Sequence, residues 1–262
     1  MTRKPALLVL SALGWLGFNA VTVWTVGFLA DALVPRTVDG AHRAGLSLAI
    51  TTDLGLLLLF AVQHSLMARP FLKAAMRRIM PQGLERTAYV LATDVCLIIL
   101  LLLWQPFGGP VWSVAGWAAG LLWVLCGAGW GVAVAATWAV DHFELTGLRQ
   151  AGWLRQQPPV DPIGLRVGGM YAVVRHPLMS GLILAFWATP RMGAAHLLFA
   201  AAATGYVLIG IRFEERDLRR AFGPDYDNYA ARVPSLVPFA RWGPRRGAGA
   251  RLRPLQDDHR SP

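Results

Sequence analysis

Apolar runs long enough to cross a lipid bilayer recur along this chain, and they constrain its fold more than any other feature. A helix needs roughly 20 predominantly apolar residues, at about 1.5 Å each, to traverse the hydrocarbon core. Residues 7–30 meet that length, and residues 112–140 contain no charged side chain. Charged residues make up 15% of the 262, against roughly 25% in soluble domains, which points the same way. The N-terminal run is far longer than the roughly 7–15 residue core of a signal peptide, so it reads as a retained first span.

Six runs read as spans: 7–30, 44–64, 87–103, 112–140, 178–189 and 194–212. The fifth is too short to cross upright. Pro190, Arg191, Met192 and Gly193 follow it, and Pro and Gly end helices and permit sharp reversal. It therefore reads as one arm of a tight helical hairpin. The expected fold is an all-α, polytopic transmembrane helix bundle of five to six spans, with a cytoplasmic C-terminal helix. Residues 1–240 would form a single integral membrane domain, and the Gly-, Pro- and Arg-rich residues 241–262 a disordered basic tail.

The formal net charge of +10 suggests nucleic acid until the basic residues are located. Arg3 and Lys4 precede the first span; Arg69, Lys73, Arg77, Arg78 and Arg86 separate the second from the third; Arg149, Arg155, Arg166 and Arg175 separate the fourth from the fifth. Residues 105–111, in an alternate loop, carry none. The positive-inside rule accounts for this without a nucleic-acid partner, placing both termini and both basic loops in the cytoplasm of a bacterial inner membrane. Trp104 and Trp112 bracket the outer loop, as interfacial aromatic residues would. Cys96 and Cys126 lie within apolar runs and read as small buried hydrophobes.

Several polar residues sit where lipid makes them costly. Asp53 and Asp94 lie within spans, either as polar contacts to helix neighbours such as Thr51, Thr52 and Thr93, or as parts of a cavity or proton route. His64 closes the second span, and Asp141 with His142 closes the fourth. Gly168 through Arg175-His176-Pro177 leads into the short fifth run, and Pro177 suits the first turn of a helix. Arg175 and His176 would then stand at an amide-rich helix mouth, a receiver for a carboxylate, and the hairpin would return Glu214 and Glu215 to the same end. A juxtamembrane salt-bridge cluster would use the same residues. No metal site is expected, because the six histidines show no ligand spacing.

Tyr171, Arg175-His176-Pro177, Gly181, Glu214-Glu215 and residues 222–229, ending at Val233-Pro234, resemble the C-terminal half of isoprenylcysteine carboxyl methyltransferases and their bacterial relatives. A branch of membrane sterol reductases shows a similar Arg-His-Pro and Glu-Glu arrangement. Residues 63–70, 85–91 and 142–150 are similar to the methanethiol S-methyltransferase family, and parts of the first two also appear in NnrU-type membrane proteins. The resemblance runs nearly end to end, excluding the tail.

It implies an enzyme that binds S-adenosylmethionine between membrane helices, through Tyr171, Arg175, His176, Glu214 and Glu215, and methylates methanethiol to dimethyl sulfide. Thiolate is the nucleophile in such a reaction, so a base helps, and His142, Asp141 and His64 are the candidates. The expected partners are a small thiol and membrane lipid. The alternatives are a methyltransferase for a larger acceptor such as prenylcysteine, a non-catalytic NnrU-type component, or a reductase that would need NADPH.

Overall fold

The computed structural model describes residues 3–80, 84–153 and 165–238. Arg155 and the expected tail at 241–262 lie outside the described residues. The chain is a polytopic helical bundle whose long elements are α1 (Arg3–Leu29), α2 (Leu46–Ala68), α4 (Leu84–Leu103), α5 (Gly116–Val140) and α9 (Ala194–Phe222). These five are long and apolar enough to cross a membrane. Between α2 and α4 lies the short basic helix α3 (Pro70–Ile79). The strand β1 (Pro110–Ser113) precedes α5, and the short helices α6 (His142–Leu145) and α7 (Leu148–Ala151) follow it. Helix α8 (Pro177–Trp187) and strand β2 (Arg191–Gly193) lead into α9, and α10 (Pro224–Arg232) comes last among the described elements.

The expected hairpin is present in altered form. Eleven residues of α8 rise only about 16 Å, and the chain at 188–193 then runs on to β2, which pairs antiparallel with β1. Because β1 precedes α5, the strand pair ties the far ends of α5 and α9 together. Trp112 belongs to that strand and not to the fourth span, which starts at Gly116. Its indole donates to the Thr189 carbonyl at 3.0 Å. Trp104, just past the end of α4, is 1% exposed, donates to the Val38 carbonyl at 3.1 Å, and meets Phe28 and Phe199 edge-to-face. With Phe186 and Trp130 these rings fill the core at the end remote from the basic loops.

Helix α8 is held close against α5 by a reciprocal pair of glycines. A Cβ on Gly129 would lie 2.6 Å from the Ala185 nitrogen, and one on Gly181 would lie 2.6 Å from the Ala133 nitrogen. Two small-xxx-small faces, Gly129/Ala133 and Gly181/Ala185, thus bring backbones into contact, which supplies helix affinity where lipid removes the hydrophobic drive. This contact fixes the start of α8, and with it Arg175 and His176.

The two intramembrane acids have identifiable surroundings. Asp53 is fully buried and accepts from the Gln105 amide at 2.9 Å, just past the end of α4. A Cβ on Gly17 would lie 2.6 Å from Asp94, so glycine in α1 makes room for that carboxylate. The threonine partners expected for them do something else: Thr51 bonds within its own helix and Thr93 meets His64 and Gln63.

Candidate functional site

Three polar groups gather at the end of the bundle that carries the basic loops. The first surrounds the start of α8. Pro177 occupies the first helical turn, as its fixed φ and missing N–H favour, which sets His176 at the N-cap. The Arg175 guanidinium donates to Glu215 Oε1 at 2.6 and 3.0 Å, and to the carbonyls of Ala230 and Val233. His176 Nε2 lies 3.2 Å from the same Glu215 oxygen, and its Nδ1 3.5 Å from Glu214. Burial disfavours charge on His176, yet its bonds to Glu214 and Glu215 hold its pKa above the ordinary histidine value. Tyr171 joins the group through its carbonyl, which accepts from the Tyr229 hydroxyl at 2.7 Å.

The helix mouth is not open in the way the sequence suggests. The Arg175 and His176 amides donate to the carbonyls of Pro234 and Ser235, and the Ser180 hydroxyl donates to Leu236. The segment after α10 therefore straps over the mouth, and Arg175 is consumed in holding that strap to Glu215. Tyr226 and Tyr229, buried on α10, anchor it. The sequence motif around residues 222–234 contained these residues without showing what they held.

The two adjacent glutamates have different fates because they point about 100° apart on α9. Glu215 is 12% exposed and meets Arg175, His176 and Arg219. Glu214 continues the inward stripe of Val207 and Ile211, at the helical spacings of four and three residues, yet its side chain is 52% exposed.

The second group lies between α2, α4 and α9. His64 stacks on Phe60, with centroids 5.2 Å apart, and shares a hydrogen bond with the Tyr89 hydroxyl, 2.8 Å from Nε2 and 3.0 Å from Nδ1. Thr93 is 3.4 Å from its Nδ1, and Tyr206 of α9 closes on it edge-first. Tyr206 escaped the sequence reading, as a lone tyrosine within an apolar run.

The third group is built on Asp141 and His142. Asp141 Oδ1 accepts from the amides of Phe143 and Glu144, capping α6, while Oδ2 pairs with Arg149 at 2.6 Å. His142 is 4% exposed and stacked on Trp138 at 4.8 Å. The Trp15 indole, which can only donate, gives its proton to His142 Nε2 at 3.0 Å. The ring proton then sits on Nδ1, facing Thr137 Oγ1 at 3.0 Å, whose own hydrogen goes to the Val134 carbonyl. Burial lowers the pKa of His142, with Asp141 opposing. Both nitrogens of this neutral imidazole are engaged.

The structure thus brings Tyr171, Arg175, His176, Glu214 and Glu215 together, and Asp141 beside His142, with His64 separate from both. Arg86 links the second and third groups, donating to the Leu145 carbonyl at 2.9 Å while lying over the Tyr89 ring at 5.8 Å. Arg69 lies over Phe213 at 4.9 Å, beside Glu214.

The chain is 42% identical over 243 residues to methanethiol S-methyltransferase 2 of Bradyrhizobium diazoefficiens, covering 92% of this chain and 94% of that protein. It is 42% identical over 240 residues to the methanethiol S-methyltransferase of Mycobacterium tuberculosis, covering 90% and 98%. Nurim of Xenopus laevis is 30% identical over 239 residues, covering 81% and 83%. No family model and no solved structure matches the chain.

Proposed function

Because the chain belongs to the methanethiol S-methyltransferase family, we propose that it is an enzyme that methylates methanethiol to dimethyl sulfide with S-adenosylmethionine as donor. The observation that supports the donor site is Glu214: a half-exposed carboxylate 3.5 Å from His176 Nδ1, next to the buried Arg175–Glu215 pair. S-adenosylmethionine supplies a methyl group on a sulfonium, together with hydroxyl and ammonium donors for which a carboxylate is the matching acceptor. Glu214 accepts from those donors, His176 orients Glu214, and Tyr171 offers an aromatic face to the cationic sulfur. Arg175 and Glu215 keep the start of α8 and the strap in register.

Methanethiol must lose its proton as the new carbon–sulfur bond forms, and a positioned base assists that transfer. Asp141 and His142 each spend their polar atoms on packing the segment after α5. Among the described residues His64 meets only the hydroxyls of Tyr89 and Thr93 through its ring nitrogens, and it is the residue we assign to the proton. Its nitrogen accepts the thiol proton and returns it to solvent after transfer.

Headspace gas chromatography of the purified protein with S-adenosylmethionine and methanethiol should show dimethyl sulfide, with prenylcysteine a poor acceptor. A folded, donor-binding protein that produced none would refute the assignment. The arginine distribution supports a cytoplasmic position for the cluster and for both termini, at a bacterial inner membrane. Alkaline phosphatase fused to the C-terminus should accordingly be inactive, and strong activity would reverse the orientation.

A further inference from the structure

Helix α3 lies outside the three polar groups and has a surface of its own. Arg69 is extended (φ −72°, ψ 141°) and Pro70 opens the next helix, so the chain turns out of α2 straight into α3. Because α2 ends at Ala68 and α4 begins at Leu84, α3 bridges two membrane-length helices at one end of the bundle, the level of lipid headgroups.

At about 100° per residue its side chains sort into two arcs. Phe71, Ala75, Ile79, Leu72 and Met76 follow one another around the apolar arc, and Lys73, Arg77 and Arg78 share the rest with Ala74. Met76 is buried where α3 meets α2 and α4. Phe71 is 66% exposed and Ile79 80%, so the rest of the apolar arc has little protein cover.

The basic arc carries more charge than its surroundings answer. Arg77 pairs with Glu85, at the start of α4, at 2.7 Å. Burial, Arg86 and Arg77 hold the Lys73 pKa below the ordinary lysine value, with Glu85 opposing, so three cations share the field of one carboxylate. Arg78 is exposed and makes no ion pair among the described residues. A phosphate borne on acyl chains answers both arcs at once, its charge meeting the surplus cations and its chains the exposed apolar side chains. A free anion would leave the apolar arc in water.

We propose that α3 is an interfacial helix that binds the headgroup of an anionic phospholipid through Lys73, Arg77 and Arg78, with Phe71 and Ile79 among the acyl chains. This surface is independent of the methyl-transfer reading.

The test is native mass spectrometry of the purified full-length protein, delipidated in detergent and titrated with phosphatidylglycerol or with phosphatidylcholine of the same acyl chains. Wild type should bind phosphatidylglycerol more tightly by about tenfold or more, the scale set by a few cations near an anionic surface. Lys73→Gln combined with Arg78→Gln should remove most of that preference, whereas Lys73→Arg combined with Arg78→Lys, which keeps both charges, should retain it. Glu85→Gln should raise phosphatidylglycerol affinity, because it frees Arg77 and removes the acid that competes with the phosphate. Inorganic phosphate in excess, at matched ionic strength, should displace little of the bound lipid. Equal binding of the two lipids by wild type would overturn the proposal whether or not the variants fold. A preference that survives the paired Gln substitutions would overturn it as well, and so would full displacement of the lipid by inorganic phosphate, which would make the cluster a free-anion site.

Discussion

Replacing His64 with Ala should lower methanethiol turnover about 10²-fold or more near neutral pH, the scale of a lost general base. The same variant should regain much of its rate as pH rises. An alkyl thiol near neutral pH is mostly protonated, so its thiolate fraction climbs about tenfold per pH unit until the thiol titrates, and the variant needs no base once thiolate arrives preformed. Wild type, with a base in place, should show a shallower rise. His142→Ala should behave differently. It removes a stacked, buried ring and leaves the Trp15 indole without its acceptor, so it should lower thermal stability, by about 1–3 kcal/mol for the orphaned donor alone. Its pH–rate profile should keep the wild-type shape. Steady-state rates from pH 6 to 10, with melting temperatures for both variants, separate the two roles. A His64→Ala protein with full turnover at neutral pH would remove His64 from the reaction.

How far this arrangement is legible in the sequence depends on the range of the interaction. Hydropathy alone locates all the long helices, because lipid contact is a property of each segment's own residues. It fails at their edges. Residues 112–115 are apolar enough to read as helix, but Trp112 lies in a strand whose partner is some eighty positions away. Helix α9 runs to Phe222, well past the end of its apolar stretch, since a helix needs no lipid once its charged turns reach water. Helix α3, short and basic, looks like a loop for the same reason.

The candidate site divides along the same line. Local sequence brings Arg175 and His176 to the start of a helix through Pro177, and the hairpin returns Glu214 and Glu215 to them. It does not say which carboxylate is consumed, because that depends on the facing of two consecutive helical positions. Nor does it show that His142 spends its acceptor nitrogen on Trp15, 127 residues away. The pairing of Asp141 with His142 looks like an acid–base motif in the sequence, and in the fold the two serve separate packing tasks. His64 looks isolated until α4 and α9 bring Tyr89 and Tyr206 to it.

Arg175→Ala should be the most destabilising single change at the proposed donor site. The Arg175 and Glu215 side chains are each 12% exposed, and removing the guanidinium strands a buried carboxylate, a change that typically costs about 3–5 kcal/mol. It also frees the Ala230 and Val233 carbonyls, so the strap over α8 loses its clamp. The expected result is a large drop in melting temperature together with weaker S-adenosylmethionine binding. Arg175→Met combined with Glu215→Leu tells the two effects apart, since replacing a buried ion pair by apolar residues of similar volume is often neutral or stabilising. That double variant should recover much of the lost stability, but its donor affinity should stay low, because His176 loses the Glu215 contact that fixes it beside Glu214. Glu214→Gln should show the converse: near-native stability, because the side chain is half exposed, with a clear loss of donor affinity by calorimetry. If Glu214→Gln bound S-adenosylmethionine as tightly as wild type, the open carboxylate would not be the donor's contact, and the Arg175–Glu215 cluster would be a structural clamp alone.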